Sequence, residues 1–368
     1  MSVYIFLLIT AFLFLLFNYS RSIVPAERTG RRNRGWPEHF YIRREMLFPA
    51  VFMVVLSFVA AFRFEVGKDY LEYREYFYEI IQNRRIVEPG FMLLCRVCNW
   101  IGGTPQLMFF TMSVATMLFC FLGIRRYSSS PMLSVFIFFC IGQMYLSTFN
   151  VIRQSLAAAL FLYSIQYILD KKLWKYLLVM LVAASFHASS LVLIPLYWVL
   201  DRRLPPVVIA IAAVAVVALP KIIVLVLQST RYAVYGTVAN FEFSITDYFF
   251  LIMSVLIFVF RKRVFLNTKY RTILNNINLV YGLIMLGSLL SSGELGAIVV
   301  MRMRYSFIFF YAIIIQLIVS DIGNVKLRSF VASGTVLILA ALYLRTTLIQ
   351  GAGYDLVPYR FSFQLFNL

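Results

Sequence analysis

About a dozen apolar runs divide the chain, near residues 3–18, 46–62, 107–124, 131–149, 151–169, 173–185, 188–200, 205–219, 248–260, 277–292, 305–320 and 329–344. Most approach the roughly 20 residues that a helix needs to cross a hydrocarbon core. In lipid every backbone N–H and C=O must be paired internally, so only helices and closed barrels can span. These runs are continuous rather than alternating, which selects helices. A chain that is 62% apolar and 14% charged could not cover its own surface in water; soluble domains are about 45–50% apolar and about 25% charged. The predicted fold is therefore an all-α polytopic membrane protein with 11–12 transmembrane or re-entrant helices, one integral-membrane domain over residues 1–368.

The net charge of +18 raises nucleic acid as a partner, but its distribution argues for topology instead. Arg21, Arg28, Arg31, Arg32, Arg34, Arg43 and Arg44 fill the first connection. Arg125–Arg126, Lys171–Lys172–Lys175, Arg202–Arg203, the run from Arg261 to Arg271, and Lys326 with Arg328 mark every second connection after it. Basic loops stay in the cytoplasm. Both termini are then expected on the external, periplasmic side. No basic residue precedes Val3 and no small-residue cleavage site follows, so residues 3–18 read as a retained span rather than a signal peptide.

Both ends of 173–200 are basic, so two short elements turning at Phe186–His187–Ala188–Ser189, re-entrant or strongly kinked, fit better than one helix. The largest external segment covers about 63–106, and a second covers about 228–247. Within the first, after the second span, Tyr70, Tyr73, Phe77 and Ile80 recur at helical spacing. That predicts an external amphipathic helix along the interface, its tyrosines at headgroup level. Cys95 and Cys98 form a lone C-x-x-C without a histidine cluster, which reads as two residues of one helix face rather than zinc. Cys120 and Cys140 read as packing residues.

The unusual polar residues are not spread evenly. Arg63, Asp69, Glu88, Arg153, Gln154, His187, Arg302 and Arg304 all fall at the expected outer ends of spans or in outer loops. Ionisable groups there are costly and tend to mark a substrate path. Each also has a plainer reading. Arg153 could snorkel to the headgroups, His187 could be a hydrogen-bonded packing residue, and Asp69 and Glu88 could be solvated loop acids. Arg302 and Arg304 are two apart, so a regular helix would point them to different faces. Collected on one face, however, arginines make a receptor for a phosphorylated ligand, because guanidinium binds phosphate oxygens bidentately and keeps its charge when desolvated.

The stretches R-F-E-V-G-K-D-Y-L-E-Y (Arg63 to Tyr73), E-P-G-F (Glu88 to Phe91), N-V-I-R-Q-S-L-A (Asn150 to Ala157), F-H-A-S-S (Phe186 to Ser190) and M-R-M-R-Y (Met301 to Tyr305) resemble, in order and spacing, the EpsG-like branch of the Wzy O-antigen and exopolysaccharide polymerases. The resemblance covers roughly residues 60–310. Where that branch often has V-G-T-D, this chain has Val66, Gly67, Lys68 and Asp69. It implies a GT-C-like glycosyltransferase in a bacterial cytoplasmic membrane, acting at the outer face. The donor glycan would leave undecaprenyl diphosphate for the non-reducing end of another lipid-linked repeat unit, with a flippase and a chain-length regulator as further partners.

On that reading Arg153, Arg302, Arg304 and Arg63 bind the diphosphate. Asp69, His187 or Glu88 is the base, with Asp69 or His187 preferred. Gln154, Asn150, Tyr70, Tyr73 and Tyr305 support the substrate, although an interface belt explains the tyrosines equally well. No D-x-D occurs, so no metal or other cofactor is expected and turnover should survive EDTA. A flippase would want its cations along the bilayer midplane, an O-antigen ligase a larger late external loop, and a proton-coupled transporter buried carboxylates within spans. None of these is apparent in the sequence.

Overall fold

The computed structural model describes residues 1–22, 44–227, 243–266, 268–292, 295, 297–349, 351 and 355–366. Most of the first basic connection (23–43) and most of the second external segment (228–242) lie outside the described residues. The described chain is helical, with only isolated bridges Arg63–Phe361 and Gly103–Phe366. Five helices are by themselves long and apolar enough to cross a membrane: 105–127, 206–225, 271–290, 297–320 and 325–349. This is a multi-pass membrane protein. Several of the other apolar runs form shorter helices, and the places where they stop build the site.

The helices α1 (Ser2–Ser22) and α2 (Leu47–Ala61) precede α3 (Tyr70–Ile81) and α4 (Pro89–Trp100). Then come α5 (Pro105–Tyr127), α6 (Pro131–Cys140), α7 (Ile152–Leu169) and α8 (Leu173–Phe186). Every residue of α6 is buried. A helix enclosed by protein can end at membrane depth, because its neighbours satisfy the backbone that follows. Short 3-10 turns follow two of the helix ends, Leu146–Phe149 after α6 and Ala188–Leu193 after α8.

The remaining helices are α9 (Leu196–Val199), α10 (Pro206–Leu227), α11 (Ile245–Val259), α12 (Arg271–Leu290), α13 (Ala297–Met303), α14 (Tyr311–Ser320) and α15 (Val325–Leu344). A π-helical turn, Arg345–Ile349, continues α15.

The segment 173–200 does double back. His187 is extended (φ −150°, ψ 103°) and ends α8. Tyr176 Oη then donates to Leu193 O at 2.6 Å across the hairpin, and Lys171 pairs with Asp201 where its ends meet. The described basic connections after the first converge at that end. Asn276 Nδ2 donates to Leu200 O at 2.9 Å and to Arg202 O at 2.8 Å, Tyr270 Oη donates to Arg126 O at 3.4 Å, and Leu266 N–H donates to Asp321 at 3.1 Å.

The opposite end collects both termini. Tyr4 Oη donates to Leu356 O at 2.8 Å. The tail from Asp355 to Phe366 runs beside the α2–α3 connection, where Phe64 N–H donates to Arg360 O at 2.9 Å and Gly67 N–H to Asp355 O at 2.8 Å.

The helical spacing of α3 is as expected, but its apolar stripe faces the bundle rather than headgroups. Tyr70, Tyr73, Phe77 and Ile80 are buried. Tyr70 stacks on Phe109 of α5 with centroids 4.4 Å apart, and Tyr73 meets Phe91 of α4 edge-on at 6.0 Å. Packing against protein buries the stripe more completely than a headgroup layer would. On α4, Cys95 and Cys98 share the buried face with Phe91.

Candidate functional site

The E-P-G-F stretch opens α4, with Glu88 at the N-cap and Pro89 in the first turn, where its missing N–H costs nothing. Gly90 then lets α4 touch the end of α8: a Cβ there would sit 2.8 Å from Ser185 O. This close approach places the Glu88 carboxylate, almost fully buried, at the break after His187, where Oε1 accepts from Ala188 N–H at 3.4 Å. Its other oxygen pairs with Arg153 at the start of α7. The Arg153 guanidinium also lies over the rings of Phe91 (5.4 Å) and Tyr73 (5.8 Å). Arg153 therefore does not snorkel; a carboxylate and the faces of Phe91, Tyr73 and Tyr76 fix it.

Two further stretches join this cluster. Gln154 Nε2 donates to Arg302 O at 2.9 Å, tying α7 to α13. The charges of Arg153, Glu88 and Arg302 all act on His187. Asp69 precedes α3, and Arg302 and Lys68 act on it together with Glu72. Burial, reinforced by Glu72, holds the Asp69 carboxyl above the ordinary carboxylate range against the pull of Arg302 and Lys68. The V-G-K-D glycine sets this loop. Gly67 has φ +100°, and a Cβ on it would meet Asn150 Oδ1 at 2.8 Å. Asp69, Tyr73, Glu88, Arg153, His187 and Arg302 thus form one connected group drawn from five separate stretches.

Arg302 and Arg304 do point to different sides. Arg302 is exposed, and its charge acts on Asp69 and His187, while Arg304 opens a 3-10 turn and is buried. Arg304 forms a buried pair with Asp247. Asp247 also accepts from Gln143 Nε2 at 2.7 Å and closes a capping box with Ser244 at the start of α11. Neither Asp247 nor Gln143 is among the residues singled out from the sequence. The S-x-x-D step from Ser244 before an apolar run is the signal that could have found Asp247. Two carboxylates, Glu88 and Asp247, are buried at helix starts, so Glu88 is not a solvated loop acid. Each is matched by an arginine.

Two candidates lie elsewhere. Arg63 is wholly buried, donating to Ala60 O at 2.5 Å and Phe149 O at 3.2 Å, with Phe109 4.8 Å from its guanidinium. It ties α2 to the turn before α7 and has no exposed surface with which to meet a diphosphate. Tyr70 is also enclosed, donating to Gln106 Oε1 at 3.1 Å, so its ring is not open to a sugar. Tyr305 is half-buried, with Arg304 5.1 Å from its ring centre. Among the described residues no group of three His, Cys, Asp or Glu side chains could hold a metal.

No curated protein and no solved structure matches the chain. A family profile does, over residues 46–361, and so takes in the start of the C-terminal tail as well as the stretches quoted above. With most of its length matched, the chain belongs to the EpsG family.

Proposed function

We propose that this protein is a polysaccharide polymerase, a Wzy-like glycosyltransferase of the bacterial cytoplasmic membrane. It joins glycan repeat units carried on undecaprenyl diphosphate at the outer face, where both termini also lie. The observation that carries the reading is the convergence of Asp69, Glu88, Arg153, His187 and Arg302 at one end of the bundle. Family membership and the opposed, strongly basic end support it.

In the reaction the acceptor hydroxyl oxygen bonds to the donor's anomeric carbon. The bond from that carbon to the diphosphate oxygen breaks, and its electron pair leaves with undecaprenyl diphosphate. The hydroxyl proton passes to Asp69 or His187. A raised carboxyl pKa suits Asp69 to this, since a base works best when its pKa approaches the working pH. Arg302 and Arg153 meet the charge growing on the leaving diphosphate. Preorganised charge in a low-dielectric site is usually the largest catalytic contribution. Glu88 orients Arg153 and neutralises it between turnovers.

The direct test gives the purified protein one synthetic undecaprenyl-diphosphate repeat unit and reads products by mass. A ladder of added repeats is expected; unchanged substrate at full protein integrity would refute the reading. In cells lacking the protein, single lipid-linked repeats should accumulate on the outer leaflet. Accumulation on the inner leaflet would indicate a flippase.

A further inference from the structure

A second concavity lies at the same end of the bundle, on the Arg304 side of α13. Its volume is about 440 Å³, within the range of small-molecule sites, about 300–1,000 Å³. Arg304, Asp247 and Gln143 line it, and Gln143 Oε1 is buried without a hydrogen-bond partner among the described residues. Such an oxygen is costly until a donor reaches it. Arg345 and Thr346 enter from another side, at the first step of the π-helical turn. Single π turns are rare and frequently sit at functional sites.

The charges of the lining decide what fits. Asp247 cancels Arg304 within a buried pair. Arg345 has no ion pair among the described residues and leaves the lining with one positive charge. Amide and hydroxyl groups make up most of the other polar surface. That set is too weakly charged for a diphosphate and too polar for a lipid chain. It matches a ring rich in hydroxyls that bears one anionic group, since carboxylates pair well with guanidinium and hydroxyls both donate and accept.

We propose that this cavity binds an acidic sugar residue, its carboxylate on Arg345 and a hydroxyl on the unpartnered Gln143 Oε1. The proposal rests on the reading that the protein handles glycans, and it makes the cavity the place where the repeat unit is recognised.

The test uses the full chain in lipid nanodiscs and saturation-transfer NMR. Glucuronate, galacturonate and N-acetylneuraminate are titrated beside glucose and galactose. At least one acidic sugar should bind about tenfold more tightly than the neutral ones, the scale of one charge-assisted contact. Arg345→Gln should erase that preference, and Gln143→Ala should weaken the acidic sugar while the unfolding temperature holds. Lys171→Ala, at the basic end, should leave binding unchanged.

Equal binding of acidic and neutral sugars, no binding by the wild type, or a preference that survives Arg345→Gln would overturn the proposal. Elongation of a synthetic lipid-linked repeat is run in parallel. A protein that elongates without discriminating loses only the cavity assignment, and one that binds acidic sugars without elongating loses only the polymerase reading.

Discussion

Ion pairs occur at both ends of the bundle, but in different surroundings. At the basic end Lys171 pairs with Asp201, their side chains 69% and 28% exposed. At the other end Arg304 pairs with Asp247 at 10% and 3%, and Arg153 with Glu88 at 19% and 6%. Water screens the first pair, so holding two flexible side chains together gains little. The others have lost their hydration and depend on each other, so removing one partner strands a charge. One end therefore displays its paired charges to water, while the other encloses them and holds them in place.

The largest effect should follow from breaking the deepest pair. Asp247→Ala leaves Arg304 unpaired and should cost about 3–5 kcal/mol, read as a lowered unfolding midpoint in detergent. An unchanged midpoint would mean the pair is solvated after all. Next comes Arg302→Ala at the exposed side of the site. It should lower polymer formation about 10² to 10³-fold with normal protein levels and an unchanged midpoint, and full-length ladders would remove Arg302 from the site.

The pH profile sharpens the same contrast. With the Asp69 carboxyl held above the ordinary range, its basic form disappears as pH falls through that raised value. Activity should therefore decline on the acid side at a higher pH than an ordinary carboxylate would give, and Asp69→Asn should abolish that limb. A limb that persists in Asp69→Asn would transfer the role to another group. The smallest effect is expected from Lys171→Ala, within about 1 kcal/mol and without loss of polymer. A large loss would show that this exposed pair matters to the fold or to polymer formation.

Many residues of the candidate site were singled out from the sequence for a specific reason. Charged and amide side chains beside apolar runs are expensive, so Asp69, Glu88, Arg153, Gln154, His187 and Arg302 stand out against their neighbours. Their pairings do not. Glu88 meets Arg153 only because Gly90 lets α4 lie against Ser185. Arg63 looked like its fellow arginines in the sequence, yet the fold spends it on backbone carbonyls.

What the sequence determined by itself is a bilayer-spanning helical bundle with its basic loops on alternate connections and a hairpin at His187. Those features follow from local quantities, namely run length, backbone pairing and loop charge. Tertiary structure alone decided that α3 turns its stripe inward, that Arg304 belongs to Asp247, and that the tail from Asp355 to Phe366 braces the Gly67 loop. Each of these depends on which distant surfaces meet, and in a chain apolar on nearly every face, hydrophobicity does not distinguish a protein neighbour from lipid.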